Sequence, residues 1–243
     1  MTILLLSDIH ANIEALEAVL QQATGHDTVW FLGDIVGYGP DPQACVDRLR
    51  DLQPEHWLAG NHDWAAVGRM DVAEFNPEAR RAAHWTRRSL DAPARDWLWG
   101  REPLAAAGEP PALLVHGSPR HPIWEYVLDA SVAMDSFAHF EQRIAFFGHT
   151  HVPTLYEERV DGALRHPVEE GTPVDLASGR WLVNPGSVGQ PRDGDPRASY
   201  AVYDPVALSV TFHRVPYPVA ATQDKIVKAG LPGRLAQRLS FGW

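Results

Sequence analysis

Ile3-Leu4-Leu5-Leu6-Ser7-Asp8-Ile9-His10 opens the chain with an apolar run too short for a helix, ending in a carboxylate and an imidazole two residues apart. It reads as a buried strand that delivers ligand-type side chains to its C-terminal tip. If the strand continues through Ile9, its period of two puts Asp8 and His10 on one face, where both converge on a single cation. Three later stretches repeat the pattern: Val29-Trp30-Phe31-Leu32 before Gly33-Asp34, Trp57-Leu58-Ala59 before Gly60-Asn61-His62-Asp63, and Ile144-Ala145-Phe146-Phe147 before Gly148-His149-Thr150-His151.

The segments between these tips read as return helices. Asn12 caps a helix through about Ala23, with Ile13, Leu16, Val19, Leu20 and Ala23 at helical spacing. A strand over Thr28 to Leu32, a helix over Pro42 to Leu52 and a strand over His56 to Ala59 complete a β-α-β-α-β start. That alternation favours stacked layers with sites at the C-terminal ends of parallel strands. Residues 64–100 are helical in pattern, with Asn76-Pro77-Glu78 as a cap followed by proline at the first helical position. A short strand, Leu113-Leu114-Val115, ends at His116-Gly117-Ser118-Pro119, and a helix over about Ala130 to Phe140 precedes the strand before Gly148. Beyond His151, short β-prone runs at Thr154 to Glu157, Trp181 to Val183, Tyr200 to Tyr203 and Val210 to Val215 predict a second, largely antiparallel sheet. The glycine- and proline-dense run from Asn184 to Pro196 is a loop, and two short helices near 218–229 and 233–239 close the chain. No internal repeat or domain boundary is visible, so one domain over residues 1–243 is expected.

A hydrophobic fraction of 45% over 243 residues supplies a substantial core, while the net charge of -10 argues against an extended nucleic-acid or anionic-membrane surface. A phosphate-bearing substrate must then be attracted locally, and bound divalent cations would do so. Cys45 is the only cysteine, which excludes a disulfide framework and a thiolate zinc site. No apolar run approaches the ~18 to 20 residues of a membrane span, and the chain enters its first strand without signal-peptide features; a cytoplasmic protein is expected.

Of twelve histidines, seven (His26, His56, His84, His121, His139, His166 and His213) lack a neighbouring ligand pattern. The other five, His10, His62, His116, His149 and His151, each follow an apolar run, and with Asp8, Asp34 and Asn61 they form a set that chance does not readily place at strand ends. Imidazole with carboxylate and amide oxygen, and no thiolate, suits manganese first, with iron, zinc or nickel as alternatives, in five- or six-coordinate sites. Seven of these eight ligand-type residues already exceed what one ion accepts while keeping open positions, so two ions are expected, bridged by one carboxylate at ~3.5 to 4 Å, as in phosphoryl displacement.

Asp8-x-His10, Gly33-Asp34, Gly60-Asn61-His62-Asp63, His116 and Gly148-His149-x-His151, in this order, resemble the calcineurin-like metallophosphoesterases. The resemblance spans residue 1 to about 203, and Ser7-Asp8-Ile9-His10-Ala11-Asn12 with Asn184-Pro185-Gly186-Ser187 is similar to the compact prokaryotic branch, which also contains a eukaryotic retromer subunit. It implies a four-layer α/β/β/α sandwich of two mixed sheets, with a di-metal site at the edge where strands end. It further implies that Asp8, His10, Asp34 and His151 bind the first ion, that Asp34 bridges, and that Asn61, His116 and His149 complete the second. His62 would protonate the leaving oxygen after attack by a metal-activated hydroxide, and Asp63 would hold its backbone or ring. An unperturbed imidazole, near ~6.5, suits that role at neutral pH. Where many protein phosphatases of the wider family have Asp-Arg, this chain has Gly37-Tyr38. The resemblance thus implies a phosphoesterase for a small phosphodiester or phosphomonoester, a nucleotide or cyclic nucleotide included, with a scaffold of the same fold as the alternative.

Three residues are candidates for substrate contact. Arg192 and Arg197, in the loop from Asn184 to Arg197, would grip a phosphate oxygen or else stand as solvated turn residues. Tyr38, like Trp64, Trp124 and Tyr126, offers a ring to a base or leaving group, or simply packs. With no arginine at position 38, diesters would be favoured over the more highly charged monoesters, unless Arg120, Arg192 or Arg197 replaces the missing cation. Ser118 is no nucleophile elbow, and no P-loop motif occurs.

Overall fold

The computed structural model describes residues 1–243. In chain order the elements are β1 (Ile3–Leu6), α1 (Ile13–Gln22), β2 (Thr28–Phe31), α2 (Pro42–Asp51), β3 (His56–Trp57), α3 (Asn61–Val67), α4 (Pro77–Ser89), α5 (Ala92–Trp99), β4 (Leu104–Ala107) and β5 (Ala112–Val115). They continue with α6 (Ala130–Phe137), β6 (Ile144–Phe147), β7 (Thr154–Arg159), β8 (Gly162–His166), β9 (Val174–Asp175), β10 (Trp181–Asn184), β11 (Ala198–Asp204), β12 (Ser209–Val215), α7 (Val219–Lys228) and α8 (Gly233–Gln237). A single 3-10 turn, Arg238–Ser240, follows.

Two six-stranded sheets form, in the orders β3-β2-β1-β11-β12-β9 and β4-β5-β6-β10-β7-β8. Each has a parallel heart, β1 with β2 and β3 in the first, β5 with β6 and β10 in the second, and antiparallel strands around it. A separate antiparallel sheet beyond His151 was the expectation, and it is not what forms. The late strands divide between the two sheets, because each parallel heart leaves an open edge with unpaired N–H and C=O groups. β11 closes the edge beside β1, and β7 closes the edge beside β10.

Alternation along β1 shows how the layers stack. Leu4 and Leu6 point out to a core shared with Leu16 and Val19 of α1 and Val46 of α2. Ile3 and Leu5 point in to a core shared with Phe146, Val183 and Leu155 of the other sheet. The outer face of that second sheet buries Val115, Phe147 and Leu182 against Ala133 and Phe137 of α6. Helix, sheet, sheet and helix thus give the four layers. All four β1 side chains are fully buried, and each such burial contributes roughly 1.5–3 kcal/mol. A further cluster joins α4 to α7 and α8 through Ala79, Ala83, Ile226, Leu235 and Leu239, and includes Tyr38. The C-terminal helices therefore reach the sheet edge that carries the ligand-type residues. No helix is long and apolar enough to cross a membrane.

Candidate metal centre

Two groups of buried side chains meet at the strand tips, Asp8 with His10 and His151, and Asp34 with His116 and His149. The backbone that presents them is not strand. β1 stops at Leu6, and Asp8, His10 and Ala11 have φ of 54°, 49° and 53°. The predicted alternation through Ile9 therefore fails, although its two ligands still converge. The N–H groups of Asp8, His10 and Ala11 donate to the carbonyls of Gly33, Asp34 and Ile35, so the first tip curls along the second. Asp34, His149 and His151 share the left-handed geometry, with φ of 59°, 66° and 62°. For non-glycine residues this conformation costs of order 1–3 kcal/mol and persists where the surroundings hold it.

Each carboxylate is fixed by one oxygen and offers the other. Asp8 Oδ2 accepts from Ser7 Oγ at 2.6 Å and from the His149 N–H at 3.0 Å. Asp34 Oδ1 accepts from the His62 N–H at 2.8 Å. Asp8 Oδ1 and Asp34 Oδ2 are buried and have no hydrogen-bond partner. The first lies 3.4 Å from His151 Nε2 and 3.9 Å from His10 Nε2; the second lies 3.4 Å from His116 Nε2 and 3.7 Å from His10 Nε2. Asp34 Oδ2 thus stands between the two groups.

Backbone carbonyls set the imidazole tautomers. His10 Nδ1 donates to Val36 O at 3.0 Å, His116 Nδ1 to Leu32 O at 2.9 Å and His151 Nδ1 to Gln190 O at 2.6 Å, so each turns Nε2 inward. His149 is reversed: Nε2 donates to Trp124 O at 3.1 Å, leaving Nδ1 for the site. His10 Nε2 and His151 Nε2 are 3.0 Å apart, lone pair to lone pair in the neutral form, an approach that a shared cation would make favourable. Asn61 Oδ1 sits 3.1 Å from His116 Nε2. Carboxylate and amide oxygens and imidazole nitrogens, aimed at common points and anchored from behind, are the donor set of a first-row divalent ion with its outer hydrogen bonds in place.

Electrostatics hold the members of the two groups in different charge states. Burial pushes Asp8 up to about 7, against the pull of His116. Burial also acts to raise Asp34, but the His116 imidazole beside it wins and holds it well below the usual carboxylate range. Burial acts to lower His116, but the Asp34 carboxylate beside it wins and pushes it up to about 9, so without a cation a proton stays on Nε2, the side that faces Asp34 Oδ2. His10, His149 and His151 are driven well below the ordinary imidazole value, chiefly by burial.

Asp63 accepts the N–H groups of Asp34, Val36 and Gly60 at 2.9, 3.1 and 2.9 Å. It fastens the α3 backbone that carries His62 and makes no hydrogen bond to the ring. That ring instead packs on Tyr38, Phe75 and His10, at centroid distances of 4.3, 4.9 and 5.0 Å. Burial pushes His62 down to about 4, below the unperturbed value anticipated from sequence. Arg192 stands over the site, 5.7 Å from the Tyr38 ring centroid, with Nη2 donating to Gln190 Oε1 at 3.0 Å and Nε buried without a partner. Arg197 is engaged elsewhere, paired with Asp195 at 2.6 Å and Glu170 at 3.1 Å, and Arg120 is paired with Glu125 and Asp135. Tyr126 stacks on His149 at 3.8 Å, whereas Trp64 donates to Arg101 O and packs. Ser118 Oγ donates to Glu125, a loop role. The carbonyls that orient the histidines carry no signal in sequence. The Asn-Pro-Gly-Ser stretch does, and its work is structural: Asn184 donates to Gly148 O, and Ser187 to Asp8 O.

Gly37 occupies a position that no other residue fits. Its φ is 90°, and a Cβ there would lie 2.5 Å from His62 Nδ1. Gly37→Ala is expected to cost roughly 1–2 kcal/mol from the backbone alone and to displace the His62 ring while leaving metal content intact. Denaturant unfolding and elemental analysis check the two halves.

A model of the calcineurin-like phosphoesterase superfamily domain matches residues 1–207. With this fold and these paired clusters, the chain belongs to that family, as a metal-dependent hydrolase of phosphoesters. It is similar to a metallophosphoesterase of Sphaerobacter thermophilus seen in a crystal structure, with 49% identity and a TM-score of 0.92 over 100% of this chain and 99% of that one. An uncharacterized protein of Methanocaldococcus jannaschii is 37% identical over 99% of this chain and 98% of its own. A symmetrical bis(5'-nucleosyl)-tetraphosphatase of Cronobacter sakazakii is 29% identical over 56% of this chain and 49% of its own length, so that match covers about half of the relative.

Proposed function

We propose that the protein is a two-metal phosphoesterase for a small phosphodiester or phosphomonoester, nucleotides included. The observation that carries this reading is the pair of buried, unpartnered oxygens, Asp8 Oδ1 and Asp34 Oδ2, each facing the Nε2 atoms of imidazoles whose Nδ1 is held by a backbone carbonyl. Asp8, His10 and His151 would hold the first ion and Asn61, His116 and His149 the second, with Asp34 Oδ2 standing between the two groups. Two divalent cations, manganese first among the candidates, supply Lewis-acid charge and an activated water when bound.

The chain's own residues do the rest. Asp34 Oδ1 holds the His62 N–H, which ties the bridge to the acid. His62 Nδ1 is buried without a partner, so Nε2 is the nitrogen left to face a substrate and donate its proton to the leaving oxygen. Burial keeps that ring neutral in the free protein, with its value near about 4; a phosphate anion beside it favours the charged form and reverses the push. Arg192 supplies, from a different loop, the cation that is missing at Tyr38. The argument for diester preference loses its premise accordingly, and monoesters are accommodated as well. Arg192→Ala is expected to raise KM several-fold with metal content intact, as checked by steady-state kinetics beside elemental analysis.

A scaffold that merely keeps the fold has no need of His62, of all seven ligand-type residues and of an unpaired arginine above them. The nucleotide substrate named for the tetraphosphatase relatives agrees with a small phosphoester. Phosphate release from nucleotides, cyclic nucleotides and nitrophenyl phosphates, with and without manganese, tests the proposal. Metal-dependent release from part of the panel is expected, and no release from any member at saturating manganese would overturn it.

A further inference from the structure

Arg192 does not stand alone at the site. Arg238, from the 3-10 turn after α8, donates through Nη1 to Gln190 Oε1 at 3.3 Å, the same oxygen that accepts from Arg192. Its guanidinium lies 5.9 Å from the centroid of the Tyr38 ring, to which Arg192 is also close. Neither arginine has a carboxylate within ion-pair distance, although other arginines of this acidic chain, Arg48, Arg69, Arg120, Arg180 and Arg214 among them, do. Burial and then the neighbouring Arg192 disfavour the charge on Arg238. Two like charges gathered around one neutral oxygen and one ring are a repulsive arrangement that an anion between them would relieve.

The surroundings extend this cationic ground away from the metals. Tyr38 is the divider: His62 and His10 lie against it at 4.3 and 4.8 Å, so Arg238 is one ring removed from the acid histidine. Beyond Arg238 the surface opens into a cavity of about 410 Å³ lined only by polar residues and a proline, Asn76, Pro77, Glu78, Arg234 and Arg238.

 In the cavity at Arg238, Arg234 is 79% exposed and approaches Glu78, the one carboxylate of the lining, only at 4.0 Å. The positive end of the 13-residue helix α4 borders the same cavity.

We propose that Arg238, beside Arg192, grips a second phosphoryl group of the substrate, so that the substrate class is a compound with two or more consecutive phosphoryl groups, such as a nucleoside polyphosphate. The inference rests on the phosphoesterase reading and narrows it. The scissile phosphorus would lie at the two ligand groups, and the remaining anionic groups run past Tyr38 toward Arg238 and Arg234. In the hydrolysis, the oxygen of one water bonds to that phosphorus and the phosphoanhydride P–O bond breaks. The departing phosphate oxygen takes up the His62 proton, and the proton lost by water goes to solvent. Arg238 lies beyond residue 207, where the family match ends, so this grip belongs to the C-terminal extension of the domain.

Arg238→Gln and Arg238→Lys test it, with inorganic tripolyphosphate and orthophosphate as probes. In calorimetric titrations of metal-free protein, Arg238→Gln is expected to weaken tripolyphosphate about tenfold, a loss in keeping with one charge-assisted hydrogen bond, and orthophosphate by less. Arg238→Lys should recover part of the loss. In the manganese-loaded enzyme, the ratio of kcat/KM for adenosine triphosphate to that for nitrophenyl phosphate should fall about tenfold in Arg238→Gln. Equal losses for the long and short probes, or none, would overturn the grip. If the wild-type enzyme hydrolyses nothing while the calorimetric difference persists, the phosphoesterase reading fails and the grip stands.

Discussion

Asp34→Asn is expected to deplete both metal positions and to lower phosphate release on the order of 10³-fold, since a bound ion contributes several kcal/mol of charge stabilisation. The size follows from where the lost charge sits. Asp34 Oδ2 is buried, has no partner, and lies 3.7 Å from His10 Nε2 and 3.4 Å from His116 Nε2, one nitrogen from each group. An amide can keep Oδ1 on the His62 N–H, so the backbone is retained while the bridge loses its charge. His10→Ala should instead deplete chiefly the first position. Elemental analysis after manganese loading separates the two variants, and a wild-type protein that saturates with one ion would refute the bridge.

His62→Ala should keep both ions and slow turnover by roughly 10² to 10⁴, the range of a lost general acid. The ring makes no ligand contact of its own; it is held by Tyr38 and Phe75, and only its backbone N–H touches Asp34. The loss should shrink with nitrophenolate, a leaving group that needs little protonation. Equal losses for good and poor leaving groups would remove His62 from the role.

The tips of the sheets were legible because burial on both faces makes a parallel strand a continuous apolar run, and ligand types at its end are conspicuous. Asn12 and Asn76 were equally legible as caps, accepting from the Ala15 and Ala79 N–H groups. The strand reading of Asp8 to His10 failed because left-handed φ values at aspartate and histidine leave no mark in composition, and only the neighbouring tip loop enforces them. β4 was missed since Leu104–Ala107 is alanine-rich and partly exposed at an edge, without the branched residues that signal a strand. Sheet membership of the late strands was hidden for another reason: which open edge a strand closes is decided by distant residues. Arg238 escaped notice because nothing local distinguishes it from a solvated helix-end arginine.

Each group of ligand-type residues draws on both sheets. His10 follows β1 in one sheet and His151 follows β6 in the other, 141 residues apart in sequence; Asp34 and His116 make the second such pair. A bound ion is therefore a rivet across the seam of the sandwich, closing a long loop that the unfolded chain would leave open. Ligation of the native state alone raises stability by mass action, and here it does so at the place where the two halves meet. Thermal unfolding should accordingly shift upward on manganese loading and downward with a chelator, with the catalytic edge loosening before either sheet.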